Sequence, residues 1–228
     1  VLTNVMKKGQ SLNELVGKML QKSQKVLNEN DFKIIVQGDS STSFAMALSG
    51  FQNKNKIIHV EAGLRTYDKN SPFPEEINRV SISNIADVHL CPTEQSVINL
   101  NKEGIRNNVY LTGNTIVDSY KFFSKQTLPS SKIGKFISDN KKFVICTLHR
   151  RENREKFTYF WKQLNEITEQ FPKYKILYLK HPSVDNSEEN LNKQITIMNP
   201  VSYIDMVHLI DSSSGIISDS GGIQEEVV

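Results

Sequence analysis

The sequence predicts an α/β protein made of two Rossmann-like domains, each built on a parallel sheet. Three observations carry this. Short apolar runs recur along the 228-residue chain, each followed by a longer stretch with apolar residues at helical spacing. The runs are nearly continuous, as in Ile34-Ile35-Val36 and Phe143-Val144-Ile145-Cys146, which is how parallel strands covered on both faces read. A polar, punctuated stretch at 125–141, ending in a short helical piece, interrupts the alternation and reads as an interdomain connection. The expected division is therefore an N-terminal domain over 1–130 and a C-terminal domain over 131–228.

The elements follow in order. Leu12, Leu15, Val16, Met19, Leu20, Val26 and Leu27 share one helical face, with Ser11 as N-cap. Lys33–Gln37, closed by Gly38-Asp39, reads as a strand. A helix near 42–50, strand 56–60, helix 74–86, strand 87–91, helix 94–103, strand 108–111 and helix 114–124 complete the first block. The second block reads as strand 143–148, helix 155–170, strand 174–179, helix 187–193, strand 195–198, helix 202–210, strand 215–218 and a helix from 220.

Composition narrows the function classes. Hydrophobic residues at 38% in ordered runs exclude intrinsic disorder, and charged residues at 23% are ordinary. The balance of 28 Lys+Arg against 25 Asp+Glu gives +3, too little for a nucleic-acid-binding surface. No apolar stretch approaches the ~18 residues of a membrane span. Cys91 and Cys146 sit inside strand-like runs without metal-ligand spacing and read as core residues of a reducing, cytoplasmic protein. No secretory signal is visible. The opening Val1-Leu2-Thr3, and the stop at Glu225-Glu226-Val227-Val228 in the first turn of a helix, read as a fragment. The first domain would then lack its N-terminal part and the second its C-terminal part, leaving the fragment inactive by itself.

In such sheets the chemistry gathers beyond the carboxyl ends of the strands. Four clusters lie there. Gly38-Asp39-Ser40-Ser41-Thr42-Ser43 follows the first strand and serves either as a plain helix cap or as a ligand loop with Asp39 over the cleft. His59-Val60-Glu61-Ala62-Gly63-Leu64-Arg65 ends the next strand; Glu61 is either functional or the partner of Arg65. Downstream, Pro74-Glu75-Glu76 is good helix-start grammar, and Glu75 is either a dipole-complementing acid or a third cleft carboxylate. Thr147-Leu148-His149-Arg150-Arg151-Glu152-Asn153 reads as an anion handler or a solvated basic turn, and His181-Pro182 ends the following strand in the same way. His89 and His208 hold no such position and read as structural. Finally, Ser218-Asp219-Ser220-Gly221-Gly222 runs from a strand into a helix, where free N–H groups can hold a diphosphate. Glu226, one turn on, could accept from ribose hydroxyls.

Six stretches in this order resemble the non-hydrolysing UDP-N-acetylglucosamine 2-epimerase family: Gly38-Asp39-Ser40, His59 to Thr66, Ser71 to Arg79, Thr112-Gly113-Asn114-Thr115, His149 to Asn153, and Asp219 to Glu226. The resemblance implies the two-domain GT-B-like fold with a cleft between the domains. It implies interconversion of UDP-N-acetylglucosamine and UDP-N-acetylmannosamine by anti elimination of UDP to 2-acetamidoglucal and re-addition, supplying aminosugar for cell-surface polysaccharide. It implies no metal and no nicotinamide cofactor, a UDP-sugar substrate, a second regulatory UDP-sugar and a homodimer. Asp39, Glu61 and Glu75 match the family's catalytic carboxylates, and His149 its cleft histidine. Ser220, Gly221, Gly222 and Glu226 match the UDP-binding loop and ribose contact, and Arg150 and His181 match the regulatory site. Met206 stands where the family packs an aromatic on uracil, and Tyr67 replaces a common glycine. A UDP-sugar glycosyltransferase, a hydrolysing epimerase and a non-catalytic nucleotide-sugar sensor are the competing readings.

Overall fold

The computed structural model describes residues 5–7, 9–27, 32–148, 157–180, 191–220 and 222–223. They divide into two compact units, Val1–Thr115 and Ile116–Val228, each with its own four-stranded sheet.

The first unit contains α1 (Leu12–Leu27), β1 (Lys33–Gln37), α2 (Ser41–Gln52), β2 (Lys56–Val60), α3 (Glu75–Ile85), β3 (Val88–Cys91), α4 (Glu94–Lys102) and β4 (Val109–Leu111). All strands are parallel, in the order β1-β2-β3-β4. Ser11 and Glu14 cap α1 reciprocally, the Glu14 N–H donating to Ser11 Oγ and the Ser11 N–H to Glu14 Oε2, both at 3.2 Å. Three crossovers step the same way across this sheet, and right-handed crossovers of that kind put their helices on one face. Ile34, Val36, Ile57, His59, His89 and Cys91 accordingly turn to one face and are buried. Leu27, Ala47, Ile82 and Leu100 from α1 to α4 pack there. On the opposite face Ile35 is 67% exposed and Tyr110 is 52% exposed. The expectation of a sheet covered on both faces therefore fails here among the described residues.

The second unit holds α5 (Thr115–Gln126) from Ile116 onward, α6 (Ser131–Asp139), β5 (Phe143–Thr147), α7 (Phe157–Gln170), β6 (Lys175–Leu179), β7 (Ile195–Met198), α8 (Tyr203–Ser212) and β8 (Gly215–Ser218). Its strands are parallel in the order β7-β6-β5-β8. The step from β7 to β8 reverses direction, so helices cover both faces. Phe143, Ile145, Leu177 and Leu179 pack with Ile133 and Phe136 of α6 and Leu209 and Ile210 of α8. Cys146, Ile176 and Tyr178 face the other way, onto Trp161 and Leu164 of α7.

Two sequence expectations shift. The stretch at 125–141 is packed structure: α6 buries Ile133 and Phe136, and the Ser130 N–H donates to Asp205 Oδ1 at 2.7 Å. The helix read at 114–124 has its contacts in the second unit. Tyr120 hydrogen-bonds Asp211 through its hydroxyl, and Phe123 meets Tyr203 edge-on. The division consequently follows Thr115, where the sequence expectation put it after residue 130. The helix expected over 187–193 lies mostly outside the described residues, and the one from 220 is described at residues 222–223.

Candidate active site

The first unit collects its acidic residues where β1 and β2 end. Gly38 turns the chain out of β1 at φ +68°, donating its N–H to the Val60 carbonyl at 3.1 Å. Ser40 then caps α2, its hydroxyl accepting from the Ser43 N–H at 3.2 Å. The capping task thus falls to Ser40 and leaves Asp39 free for another. Asp39 takes the Arg79 guanidinium on its carboxylate, with Nε at 3.0 Å and Nη2 also bound, and its carbonyl accepts from Asn78 Nδ2 at 2.8 Å. Both partners belong to α3, so Asp39 and the first turns of that helix are fixed together.

Glu61 follows β2 directly. It lies in the left-handed region at φ +66°, a conformation that costs a non-glycine residue about 1 kcal/mol or more and marks functional sites when other structure enforces it. Its carboxylate lies against Gly38: a Cβ placed there would sit 3.3 Å from Glu61 Oε2. Asp39 and Glu61 therefore flank one glycine. Glu75 opens α3 just after Pro74, half-buried, one turn before Asn78 and Arg79.

The neighbouring acid does different work. Glu76 is buried and accepts the N–H groups of Thr66 at 3.1 Å and Tyr67 at 2.9 Å, with Arg79 Nη1 3.3 Å away. It holds the loop after β2, and the sequence offered no way to separate it from Glu75. Arg65 is committed elsewhere than Glu61: its buried guanidinium binds Glu103 bidentately, at 2.7 Å for both Nε and Nη2, and donates to Ser83 Oγ at 3.0 Å. Tyr67 adopts φ +62°, the conformation that glycine suits, and its hydroxyl donates to Asn99 Oδ1 at 3.0 Å. Gly63 has no such latitude. At φ +85°, a Cβ would lie 2.3 Å from the Ser96 carbonyl oxygen.

Arg79 and Asn78 are the residues that sequence reading passed over. Arg79 lies three residues after Glu76, a helical pairing that was visible; its bond to Asp39 was not.

In the second unit, β5 and β8 are neighbours, with Thr147 in register with Ser218. The strand order reverses between them, and in open α/β sheets such a switch point is where ligands bind. Ser218 and Ser220 lie at the end of β8, the Ser220 N–H donating to Ser218 Oγ at 3.0 Å. Among the described residues, none would lie within 4 Å of a Cβ at Gly222. Met206 on α8 is half-buried against the core around Ile133 and Phe136. Burial pushes the Cys146 thiol and the Tyr178 phenol each up to about 12, and the Asp219 charge adds in the same direction. Cys91 is likewise pushed up to about 11 by burial, so both cysteines are inert core residues. His149, Arg150, His181, Gly221 and Glu226 lie outside the described residues. No cluster of metal-binding side chains occurs among the described residues, nor any helix long and apolar enough to cross a membrane.

The family model of UDP-N-acetylglucosamine 2-epimerase matches residues 1–228. The chain belongs to the UDP-N-acetylglucosamine 2-epimerase family. It is 39% identical over 244 aligned residues to the UDP-N-acetylglucosamine 2-epimerase of Campylobacter jejuni, the match covering 98% of this chain and 63% of that protein. Among solved structures it is similar to the Neisseria meningitidis UDP-GlcNAc 2-epimerase bound to UDP-GlcNAc, with 33% identity and a TM-score of 0.86 over 97% of this chain and 63% of that one. The Methanocaldococcus jannaschii UDP-GlcNAc 2-epimerase in complex with UDP-GlcNAc and UDP matches at 35% identity and TM-score 0.80, over 98% of this chain and 64% of that one. This family member thus spans about three fifths of the length of the curated relatives it matches. Its pair of parallel α/β units agrees with the fold class read from the sequence.

Proposed function

We propose that the protein of which these residues are part epimerises UDP-N-acetylglucosamine at carbon 2, giving UDP-N-acetylmannosamine. The observation that carries this reading is the pairing of Asp39 and Glu61 across Gly38, with Glu61 held in a left-handed backbone conformation. Strain retained at a carboxylate on a strand end argues for a chemical task. The ligands of the Neisseria and Methanocaldococcus relatives support the substrate class.

The reaction needs a base on one side of carbon 2 and an acid on the other. A carboxylate removes the carbon-2 proton while the bond from carbon 1 to the diphosphate oxygen breaks. The electron pair left on carbon 2 forms the double bond of 2-acetamidoglucal, and UDP leaves as the anion. UDP then adds back at carbon 1 as a proton reaches the opposite face of carbon 2. Glu61 and Glu75 stand on different elements and are our candidates for the two proton positions. Asp39, tied to Arg79, fixes the helix start that carries Glu75. His149 is assigned to the departing diphosphate. Ser220, Gly221, Gly222 and Glu226 are assigned to the nucleotide, Ser220 lying just past the end of β8 beside the β5/β8 switch point.

A proton NMR time course of the full-length protein with UDP-N-acetylglucosamine in deuterium oxide, without acceptor, tests the reading. Formation of the mannosamine epimer with deuterium at carbon 2 is the expected outcome. Epimerisation without solvent label would overturn proton abstraction. Release of free N-acetylmannosamine would identify a hydrolysing enzyme, and no change at all would favour a transferase or a sensor.

A further inference from the structure

We infer that His59 is a positioning residue, whose Nε2–H holds the Gly38 carbonyl from beneath and so fixes where Asp39 and Glu61 present their carboxylates. This rests on the proposed reading of Glu61 as a proton-transferring group and of Asp39 as the anchor of the helix start that carries Glu75.

His59 is fully buried in β2, on the covered face of the sheet, with Nε2 3.0 Å from Gly38 O. A carbonyl oxygen only accepts, so the proton of the ring resides on Nε2. Nδ1 then carries a bare lone pair, and it has no hydrogen-bond partner among the described residues. An aliphatic residue there would continue the neighbouring Ile57 packing without burying an unsatisfied nitrogen. What the imidazole adds is its single bond to Gly38.

That bond acts at the one residue shared by both carboxylates. The Gly38 N–H is held by Val60 at 3.1 Å and its carbonyl by His59, so β2 grips both polar groups of the peptide turn. Gly38 precedes Asp39 directly, and a Cβ built on it would lie 3.3 Å from Glu61 Oε2. A rotation of this peptide would move both acids at once. The ring is also kept in one protonation state. Its pKa is lowered to about 4, chiefly by burial, with the Gly38 bond opposing, the His89 and Arg65 charges adding to the lowering and Asp39 opposing it. His89, its register partner on β3, is itself lowered by burial.

The test compares His59→Phe, which keeps an aromatic ring without the donor, with His59→Gln, which restores an N–H donor, both in the full-length protein beside Glu61→Gln. In His59→Phe, kcat per folded molecule should fall roughly tenfold to a hundredfold, the scale of a slight misplacement of catalytic groups. KM should stay within about twofold, because the substrate-binding groups are untouched. His59→Gln should recover much of the lost kcat. A long-range 1H–15N spectrum of the wild type at pH 7 should show a neutral His59 protonated on Nε2. Unchanged kcat per folded molecule in His59→Phe, with only a lowered melting temperature, would overturn the inference. So would a failure of His59→Gln to exceed His59→Phe, or a ring protonated on Nδ1, even if His59→Phe does not fold. Full turnover in Glu61→Gln would instead sink the catalytic reading itself, whereas loss there with normal His59→Phe turnover sinks only the positioning role.

Discussion

Ile35 and Cys146 hold comparable places, inside apolar runs that form a parallel strand beside another, yet Ile35 is 67% exposed and Cys146 is fully buried. The difference lies in strand order. In the second unit the chain reverses between β7 and β8, so α7 covers one face of the sheet and α6 and α8 the other. In the first unit every crossover steps the same way, and the described helices gather on one face. Local apolar content does not reveal which case holds. The same contrast separates the candidate chemistry: the second unit offers a switch point suited to a nucleotide, the first a group of acids at strand and helix ends.

The comparison can be broken most forcefully at the glycines. Gly63→Ala in the first unit forces a left-handed alanine onto the Ser96 carbonyl, with an expected loss of more than about 4 kcal/mol in urea unfolding. Gly222→Ala in the second unit meets no described residue within 4 Å, so it should leave stability within about 0.5 kcal/mol and weaken UDP binding by calorimetry. Equal stability losses would contradict the geometry of both sites.

On the proposed function, Glu61→Gln in the full-length protein should slow epimerisation by ~10²–10⁴, or roughly 3–5 kcal/mol of transition-state free energy, while UDP affinity is retained. Parallel loss of UDP binding would place Glu61 in the nucleotide site and erase the division of labour between the units.

Acid should separate the units as well. His59 has a folded pKa of about 4, below its ordinary 6.5, so it stays neutral in the fold while the unfolded chain takes up a proton. The stability it confers is complete above pH 6.5 and is lost as pH falls toward 4, by at most about 3.5 kcal/mol. His89, also lowered, acts in the same direction. Hydrogen exchange at pH 7 and pH 5 should show β2 amides losing more protection than β6 amides, and His59→Phe should flatten that pH dependence.

The smallest effect probes the uncovered face. Ile34→Val should cost about 1 kcal/mol and Ile35→Val less than about 0.5, although the two residues adjoin in β1. Equal costs would mean that Ile35 is covered in solution.

Much of the fold and of the first-unit site was legible because its signals are local. Strands announced themselves as apolar runs, α1 by its helical face and its Ser11 cap, and Asp39 and Glu61 by lying just past strand ends. The amphipathic Ile133 and Phe136 were equally readable, but the polar residues before them suggested a connection, and only their packing against Phe143 and Leu209 made α6 part of a core.

What the sequence by itself determined was therefore the order and kind of the elements and the residues that stand at their ends. Periodicity, capping and turn chemistry act within a few residues and leave their mark in the chain. The tertiary structure decided the partners. Arg65 turned to Glu103 rather than to the nearby Glu61, and Asp39 received Arg79 from α3. Of two adjacent acids, Glu76 went inward to hold the loop and Glu75 stayed half-exposed. Those outcomes depend on how each helix is rotated about its axis. Burial of Ile82 and Leu100 against the sheet sets that rotation, and contacts so distant in sequence have no local signature.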